Sequence, residues 1–191
     1  MCRSREKRTI TMVDVYISLG SNLEPEKNIR LAVTELMHEP GIAALSNVYL
    51  TSPVKGREQP DFFNCVVRSS TTAGPHELKF SVLRSIETRL GRKRVANRYA
   101  PRTIDLDLLI YGEECLDERG LHIPDPDIRQ RPFLAFCLLE LNSLLSVPCA
   151  NLSIAEVTAS MNRKGMKPLE KYTRELREEL GIPRFTRAGY S

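Results

Sequence analysis

Two acidic residues interrupt the most apolar run of the chain, residues 98–111, which read RYAPRTIDLDLLIY. In a β-strand successive side chains point to opposite faces, so Asp105 and Asp107 should share one face. The apolar residues of the run should line the other face: Ile104, Leu106, Leu108 and Ile110. Two residues of rise separate the α-carbons of the aspartates by roughly 6.6 Å, so the carboxylates can reach one cation, or two cations roughly 3.5 to 4 Å apart. The pattern predicts a magnesium-like site.

The segment before this strand carries the opposite charge. Residues 92–102 contain no acid and five basic residues: Arg92, Lys93, Arg94, Arg98 and Arg102. Guanidinium groups suit phosphate oxygens, and Mg²⁺ is usually held by one or two carboxylates together with the phosphates of the substrate. The pairing of charges favours a bound polyphosphate. A bare D-x-D pattern also suits the solvated face of an ordinary antiparallel strand whose acids pair with nearby arginines, so that alternative stays open.

Length and composition predict one domain with a core of its own and an appendage. The chain has 191 residues, 41% of them hydrophobic, and a formal net charge of +4, a mild excess that suits an anionic ligand but not a dedicated nucleic-acid-binding protein. No apolar run approaches the ~18 residues of a membrane span, and the first twelve residues lack the apolar stretch of a signal peptide. The five cysteines form no C-x-x-C pair, so we expect reduced thiols in a cytoplasmic protein.

Hydrophobic periodicity predicts the main elements. The predicted strands cover residues 13–19, 46–51, 62–69 and 104–110, and helices cover residues 25–37, 75–90, 133–141 and 154–161. The order of the first six elements is that of a ferredoxin-like α+β sandwich, an antiparallel sheet with helices packed on one face and the ligand site on the other side. Gly20-Ser21-Asn22 lacks the lysine of a Walker loop, so we interpret it as a tight turn with Asn22 as a helix cap.

Composition divides the chain into three parts. We expect a catalytic domain over residues 13–161, a disordered lead over residues 1–12, and a charged helical extension over residues 162–191. The extension has only a thin apolar stripe, which predicts a docked or oligomerising helix rather than part of a site. We therefore expect truncation after Arg163 to leave the chemistry intact. A monomer is expected, with a dimer through the extension as the alternative.

Several short motifs occur in a fixed order over residues 13–160. They are Gly20-Ser21-Asn22, Tyr49-x-Thr51-x-Pro53, Gln59-Pro60-Asp61-Phe62-Phe63-Asn64, Glu87 with Gly91-Arg92-x-Arg94, Arg98-x-Ala100-Pro101-Arg102-x-x-Asp105-Leu106-Asp107, and Ile123-Pro124 with Arg131-x-Phe133. In this order they resemble the 6-hydroxymethyl-7,8-dihydropterin pyrophosphokinases of folate biosynthesis. The order makes the resemblance more specific than any single motif.

The resemblance implies transfer of the terminal diphosphate of ATP to the hydroxymethyl group of the pterin, with release of AMP. It implies two Mg²⁺ ions on Asp105 and Asp107, and catalytic roles for these aspartates and for Arg92, Arg94 and Arg102. The implied ATP-binding residues are Glu87, Arg92, Arg94, Tyr99, Arg102, His122, Asp125 and Arg131. The implied pterin-binding residues are Thr51, Ser52, Pro53, Val54, Phe62, Asn64, Asp105 and Phe133. Its partners would be small molecules, without nucleic acid or membrane.

The chain departs from the family pattern at three positions. Tyr99 stands where Trp is frequent and Phe62 where Tyr is common, and both exchanges preserve an aromatic ring. Asp125 stands where a nucleotide-contacting His is usual, and we expect it to pair with Arg129 or Arg131. Two other function classes stay open: a catalytically weakened pterin- or nucleotide-binding relative, and an RNA-binding ferredoxin-like module, which would need several aromatic residues on one sheet face.

Overall fold

The computed structural model describes residues 11–53, 59–93 and 100–183. The lead predicted for residues 1–12 falls almost entirely outside these ranges. The elements of the first half are β1 (Val13–Ser21), α1 (Pro25–His38), β2 (Ala44–Leu45), β3 (Tyr49–Thr51), β4 (Phe62–Thr71), α2 (Pro75–Glu77), a π-helical stretch (Leu78–Leu83) and α3 (Arg84–Arg89). Those of the second half are β5 (Asp105–Tyr111), β6 (Leu116–Glu118), β7 (Leu121–Ile123), a 3₁₀ helix (Pro126–Arg129), α4 (Pro132–Leu141), β8 (Ser146–Val147), β9 (Leu152–Ser153), α5 (Ile154–Ala159), β10 (Met166–Pro168) and α6 (Glu170–Leu180).

One antiparallel sheet organises these elements. Its strand order is β10-β3-β4-β1-β5, and the short β2 pairs with β4 beside β3. The four strands predicted from the sequence occupy the positions β3-β4-β1-β5 in it, which is the strand order of a ferredoxin-like sheet. The predicted α+β class and antiparallel sheet are confirmed.

The helices α1 and α3 cover one face of the sheet. Pro25 occupies the first turn of α1, where its missing N–H costs no hydrogen bond. The apolar stripe of α1 is fully buried against Val15, Ile17 and Leu19 of β1: Ile29, Ala32, Val33 and Leu36. The residue at the N-cap of α1 is Glu24, so the predicted capping role of Asn22 is wrong.

A third helix covers part of the opposite face. α4 is apolar apart from Glu140, and it packs with α5 against the sheet residues Tyr16, Val66 and Ile110. A helix without a polar face is stable only when it is buried on several sides, which explains this second layer. The ligand side of the sheet is therefore covered along part of its length, and the rest is open. No helix among the described residues is long and apolar enough to cross a bilayer.

A β-bulge in β5 changes the predicted alternation. The pairing of β5 with β1 shifts between Tyr16 and Ile17, where Ile110 and Leu108 are the respective partners, so Leu109 is the extra residue. Before the bulge the prediction holds, since Leu106 and Leu108 pack on the helix face. After it, Ile110 lies on the α4 face, contrary to the prediction, because one inserted residue inverts the alternation.

The C-terminal residues are integrated into the same core. β10 pairs with β3 and extends the sheet by one strand. Leu176 of α6 has no exposed surface and packs in the core of the α1 face together with Ile182. Thr173 accepts a hydrogen bond on Oγ1 from the backbone N–H of Val48 at 2.9 Å. The residues after 161 therefore pack against the same core as the central sheet, although their apolar stripe is thin in sequence.

Two of the cysteines form a disulfide. Cys115, just before β6, is bonded to Cys149, between β8 and β9, and their α-carbons lie 6.4 Å apart. The expectation of reduced thiols is wrong for this pair, because folding joins residues whose 34-residue separation gave no signal. Cys65 and Cys137 are buried free thiols, and burial raises the pKa of Cys65 to about 12.

The packing of α6 predicts a stability effect. Leu176→Ala should lower the free energy of unfolding by about 2–5 kcal/mol, because it opens a cavity in a fully buried site. Leu144→Ala is the matched control, since that leucine is 85% exposed and its truncation should change stability by less than about 0.5 kcal/mol. Urea denaturation measures both values. Equal effects would show that α6 is a separable extension.

Candidate active site

A cavity of about 860 Å³ opens on the sheet face opposite α1, beside the start of α4. Alternate residues of the central strands line it, as period-two geometry requires: Ser18 and Gly20 on β1, Phe62 and Asn64 on β4, and Asp105, Asp107 and Leu109 on β5. The loop before β5 contributes Arg102, and the 3₁₀ helix and the start of α4 contribute a further edge. The cavity is charged at the β5 end and apolar at the start of α4, where Pro132, Phe133 and Leu134 line it.

The cavity brings together most of the residues that the sequence predicts for the site. These are Thr51, Ser52, Pro53, Phe62, Asn64, Arg102, Asp105, Asp107, Asp125, Arg131 and Phe133. Three predicted residues do not line it: Glu87, Arg92 and His122. Three others, Val54, Arg94 and Tyr99, lie outside the described residues. The individual ligand contacts stay predictions.

Asp105 is held by two arginines. Nη2 of Arg92 lies 3.1 Å from its Oδ1, and Nη1 of Arg102 donates to its Oδ2. Arg92 also donates to the backbone oxygen of Ile104 at 3.2 Å, so it anchors the start of β5 from behind the cavity wall. Arg102 itself lines the cavity. Asp105 therefore faces the ligand space with its position fixed by charge-assisted hydrogen bonds.

The free edge of β5 is bonded by side chains from the helical segment. Oε1 of Glu87, a residue that is 3% exposed, accepts a hydrogen bond from the Leu106 N–H at 3.0 Å. Nζ of Lys79 donates to the Leu106 carbonyl at 3.1 Å and to Oδ1 of Asp107 at 2.5 Å. The structure thus gives Glu87 a bond to the strand backbone rather than a place in the cavity wall. It also assigns a contact to Lys79, which the sequence did not single out.

Asn22 fixes two loops beside the cavity. Its Oδ1 accepts from the Arg102 backbone N–H at 2.8 Å, and its own N–H donates to the Arg102 carbonyl at 3.2 Å. Its Nδ2 donates to Oε1 of Gln59 at 3.2 Å. Asn22 is 2% exposed, so these bonds are shielded from water. Asn22, which we interpreted as part of an ordinary tight turn, therefore positions the backbone of Arg102.

Asn64 lies across a glycine. Gly20 is its partner in the β1–β4 register, and a Cβ built on Gly20 would lie 2.8 Å from Oδ1 of Asn64. Nδ2 of Asn64 donates to Oγ1 of Thr51 at 2.7 Å. The absence of a side chain at Gly20 therefore leaves the space that the Asn64 amide occupies.

Asp125 is not paired in the way that the sequence led us to expect. Its Oδ1 accepts from the Asp127 backbone N–H at 2.8 Å and so caps the 3₁₀ helix. Arg131, one of the two arginines expected beside it, places Nε 2.8 Å from Oδ2 of Asp127 instead, and the described residues show no ion pair between Asp125 and Arg129. Burial, with the charges of Asp107 and Asp127, raises the pKa of Asp125 to about 6, although the Asp127 N–H and Lys79 oppose the shift.

His122 belongs to a different part of the surface. Its Nδ1 lies 2.7 Å from Oδ1 of Asp117 in the β6–β7 hairpin, beside a smaller cavity of about 340 Å³ that Cys115 and Cys149 also line. The described residues therefore give no contact between His122 and the large cavity.

The residues at the β5 end fit a magnesium ion that arrives with phosphates. The described residues contain no cluster of three or more His, Cys, Asp or Glu that would form a metal cage. Asp105 and Asp107 supply two carboxylates on one face, which is the usual protein share of a Mg²⁺ site completed by substrate phosphates.

The segment that follows α5 also reaches the cavity. Lys164, Gly165 and Met166 line it beside Thr51, the residue that pairs with Met166 between β3 and β10. The sequence did not predict these residues, because neither periodicity nor a motif marks the point at which a C-terminal strand returns to the sheet.

Comparison with known proteins identifies the family to which the chain is similar. The family of 7,8-dihydro-6-hydroxymethylpterin-pyrophosphokinase (HPPK) matches residues 16–143. The 2-amino-4-hydroxy-6-hydroxymethyldihydropteridine pyrophosphokinase of Pseudomonas aeruginosa is 37% identical over 137 residues, which cover 70% of this chain and 83% of that protein. The folic acid synthesis protein fol1 of Pneumocystis carinii is 35% identical over 167 residues, which cover 86% of this chain.

The chain is much shorter than some of these relatives. It spans 22% of the length of fol1 and 28% of that of a folate synthesis bifunctional protein from Arabidopsis thaliana. The crystal structure of Plasmodium falciparum HPPK-DHPS with pteroate superimposes with a TM-score of 0.62 at 13% identity, over 90% of this chain and 44% of that one, and so supports the fold alone. On the strength of the family match and the bacterial relative, the chain belongs to the 7,8-dihydro-6-hydroxymethylpterin-pyrophosphokinase family.

Proposed function

We propose that the chain transfers the terminal diphosphate of ATP to 6-hydroxymethyl-7,8-dihydropterin and releases AMP, as a step of folate biosynthesis. The proposal rests on the set of residues that line one cavity. Two aspartates and Arg102 form one end, and Asn64, Thr51 and Phe133 line the same space. One site therefore contains charged groups that suit a polyphosphate with its metal ion, and amide, hydroxyl and aromatic groups that suit a flat heterocycle with polar edges.

The pterin end would bind by stacking and by amide recognition. Phe62 and Phe133 line the cavity and would stack on a planar ring, and the Asn64 amide would bind its polar edge. The bond from Asn64 to Thr51 fixes the orientation of the amide before the substrate arrives. A group that is already oriented loses less conformational entropy on binding, which favours affinity.

The phosphate end would neutralise and orient the triphosphate. Asp105 and Asp107 would hold Mg²⁺, which when bound supplies charge neutralisation and polarises phosphoryl oxygens. Arg102 and Arg131 would bind phosphate oxygens and stabilise negative charge that develops as AMP leaves. The reaction is an in-line attack of the pterin hydroxyl oxygen on the β-phosphorus, so the chief task of these residues is to align the two substrates.

Arg92 would act indirectly on the same reaction. It bonds Asp105 and the Ile104 carbonyl from behind the cavity wall, so in this structure it positions a carboxylate. The assignments of Arg94 and Tyr99 to the nucleotide follow from the family resemblance alone. A monomeric, cytoplasmic enzyme stays our expectation.

The two aspartates can be tested separately. Asp105→Asn and Asp107→Asn should each lower pterin-dependent AMP formation by about a hundredfold or more, because an amide is a much weaker metal ligand than a carboxylate. Asp14→Asn, whose aspartate pairs with Arg68 at the end of β1 away from the cavity, is the control and should keep wild-type activity. Chromatographic analysis of the nucleotides measures AMP, and near-native AMP formation by either variant at saturating Mg²⁺ would remove that aspartate from the site.

The pterin end is tested through Gly20. Gly20→Ala should weaken pterin binding by about tenfold or more, because the new Cβ would displace the Asn64 amide. Gly74→Ala is the matched control, since nothing lies within 4 Å of a Cβ built there. Calorimetric titration with the pterin measures both affinities, and unchanged binding by folded Gly20→Ala would show that Asn64 does not read the ring.

The protonation of Asp125 predicts a change of stability with pH. Because its pKa is raised from 3.8 to about 6 in the folded state, its favourable contribution is present below pH 3.8 and is lost as pH rises through about 6. Asp125→Asn keeps an acceptor for the Asp127 N–H and should be more stable than wild type by about 2 kcal/mol at pH 8, but not at pH 4. Exposed Asp61→Asn is the control. Denaturation at both pH values measures the difference, and equal stability at pH 8 would contradict the assignment.

The same residue distinguishes the second candidate function, a weakened binding relative. If the Asp125 charge opposes the triphosphate, Asp125→Asn should bind a non-hydrolysable ATP analogue more tightly at pH 8. A wild-type protein that binds the pterin but forms no AMP would favour the weakened relative.

A further inference from the structure

Lys79 reaches the candidate metal site from the helical layer. It lies in the π-helical stretch Leu78–Leu83, which packs against β5. π-helical turns are rare and are frequently found at functional sites, since the extra residue in the turn redirects neighbouring side chains. Here the side chain of Lys79 places its Nζ 2.5 Å from Oδ1 of Asp107 and 3.1 Å from the Leu106 carbonyl.

The ammonium group lies behind the carboxylate. The Lys79 side chain is 15% exposed, and Lys79 is absent from the lining of the large cavity. The Asp107 side chain is 46% exposed and lines that cavity. A ligand that enters the cavity therefore meets the aspartate first, with one of its two oxygens already bonded to a fixed cation.

The Lys79 ammonium group should lower the affinity of the site for a divalent ion that binds without a nucleotide. Asp105 is also bonded to cations, Arg92 and Arg102, so each of the two candidate ligands has its charge balanced in this structure. A divalent ion would be repelled by three positive groups at short range in a partly buried site. A triphosphate brings the negative charge that offsets this repulsion.

We propose that Lys79 is a positioning residue that fixes the Asp107 carboxylate and keeps the site weak for free divalent ions until a nucleotide supplies its phosphates. The inference rests on the proposed function, because it assumes that Asp107 is a metal ligand in a nucleotide-dependent reaction. Lys79 then has two effects on one atom: its hydrogen bond holds the rotamer of Asp107, and its charge opposes metal capture without substrate.

The test measures metal binding without turnover. Mn²⁺ alone, and then Mn²⁺ with a non-hydrolysable ATP analogue, is titrated into wild type, Lys79→Gln, Lys79→Arg and the control Lys27→Gln, whose lysine pairs with Glu24 on an exposed helix surface. Electron paramagnetic resonance reports free Mn²⁺. Lys79→Gln should bind Mn²⁺ alone about tenfold more tightly than wild type, because one positive charge is lost near the site. Lys79→Arg and Lys27→Gln should resemble wild type.

Two results would overturn the proposal. One is an unchanged or weaker affinity of folded Lys79→Gln for Mn²⁺ alone, which would leave Lys79 with only a structural bond to β5. The other needs no variant: wild type that binds Mn²⁺ equally well with and without the nucleotide analogue would contradict the inference even if Lys79→Gln failed to fold. Since no AMP has to form, a failure of the proposed function would be seen separately, in the activity assay.

Discussion

The unpaired edge of β5 needs hydrogen bonds from side chains, and those side chains also hold the candidate site in place. An edge strand leaves alternate N–H and C=O groups without strand partners, and in a buried position those groups need other hydrogen bonds. Glu87, Lys79 and Arg92 supply them at Leu106 and Ile104. Because two of these three side chains also contact Asp105 or Asp107, the interactions that close the sheet edge fix the carboxylates as well.

Both carboxylates depend on where the bulge falls. Asp105 and Asp107 precede the extra residue Leu109, so they share the cavity face, and only residues beyond the bulge change sides. A bulge between the two aspartates would have placed one of them among the core residues of the α1 face. At the other end of the cavity, Gly20 has a comparable role, since a side chain there would collide with Asn64.

The sequence predicted what depends on local periodicity and on ordered motifs. Alternation placed Asp105 and Asp107 on one face, and the motifs predicted Asn64 and Thr51 as neighbours in one site. It could not predict contacts that arise only when distant segments meet. Lys79 lies in a π-helical turn that breaks the 3.6-residue period, Asn22 bonds a loop 80 residues away, and Leu176 fills a core built by residues far upstream. Cys115 and Cys149 likewise become neighbours through two hairpins that no local pattern relates.

We propose that one cavity aligns the pterin hydroxyl with the β-phosphorus of ATP, so that two phosphoryl groups are transferred together. The most direct measurement follows ATP that is isotopically labelled at the β-phosphorus, in the presence of Mg²⁺ and the hydroxymethyl dihydropterin. We expect the label to appear in the pterin ester and the released nucleotide to be unlabelled AMP. Label that remains in a nucleotide diphosphate, with only the γ-phosphoryl group transferred or hydrolysed, would contradict it.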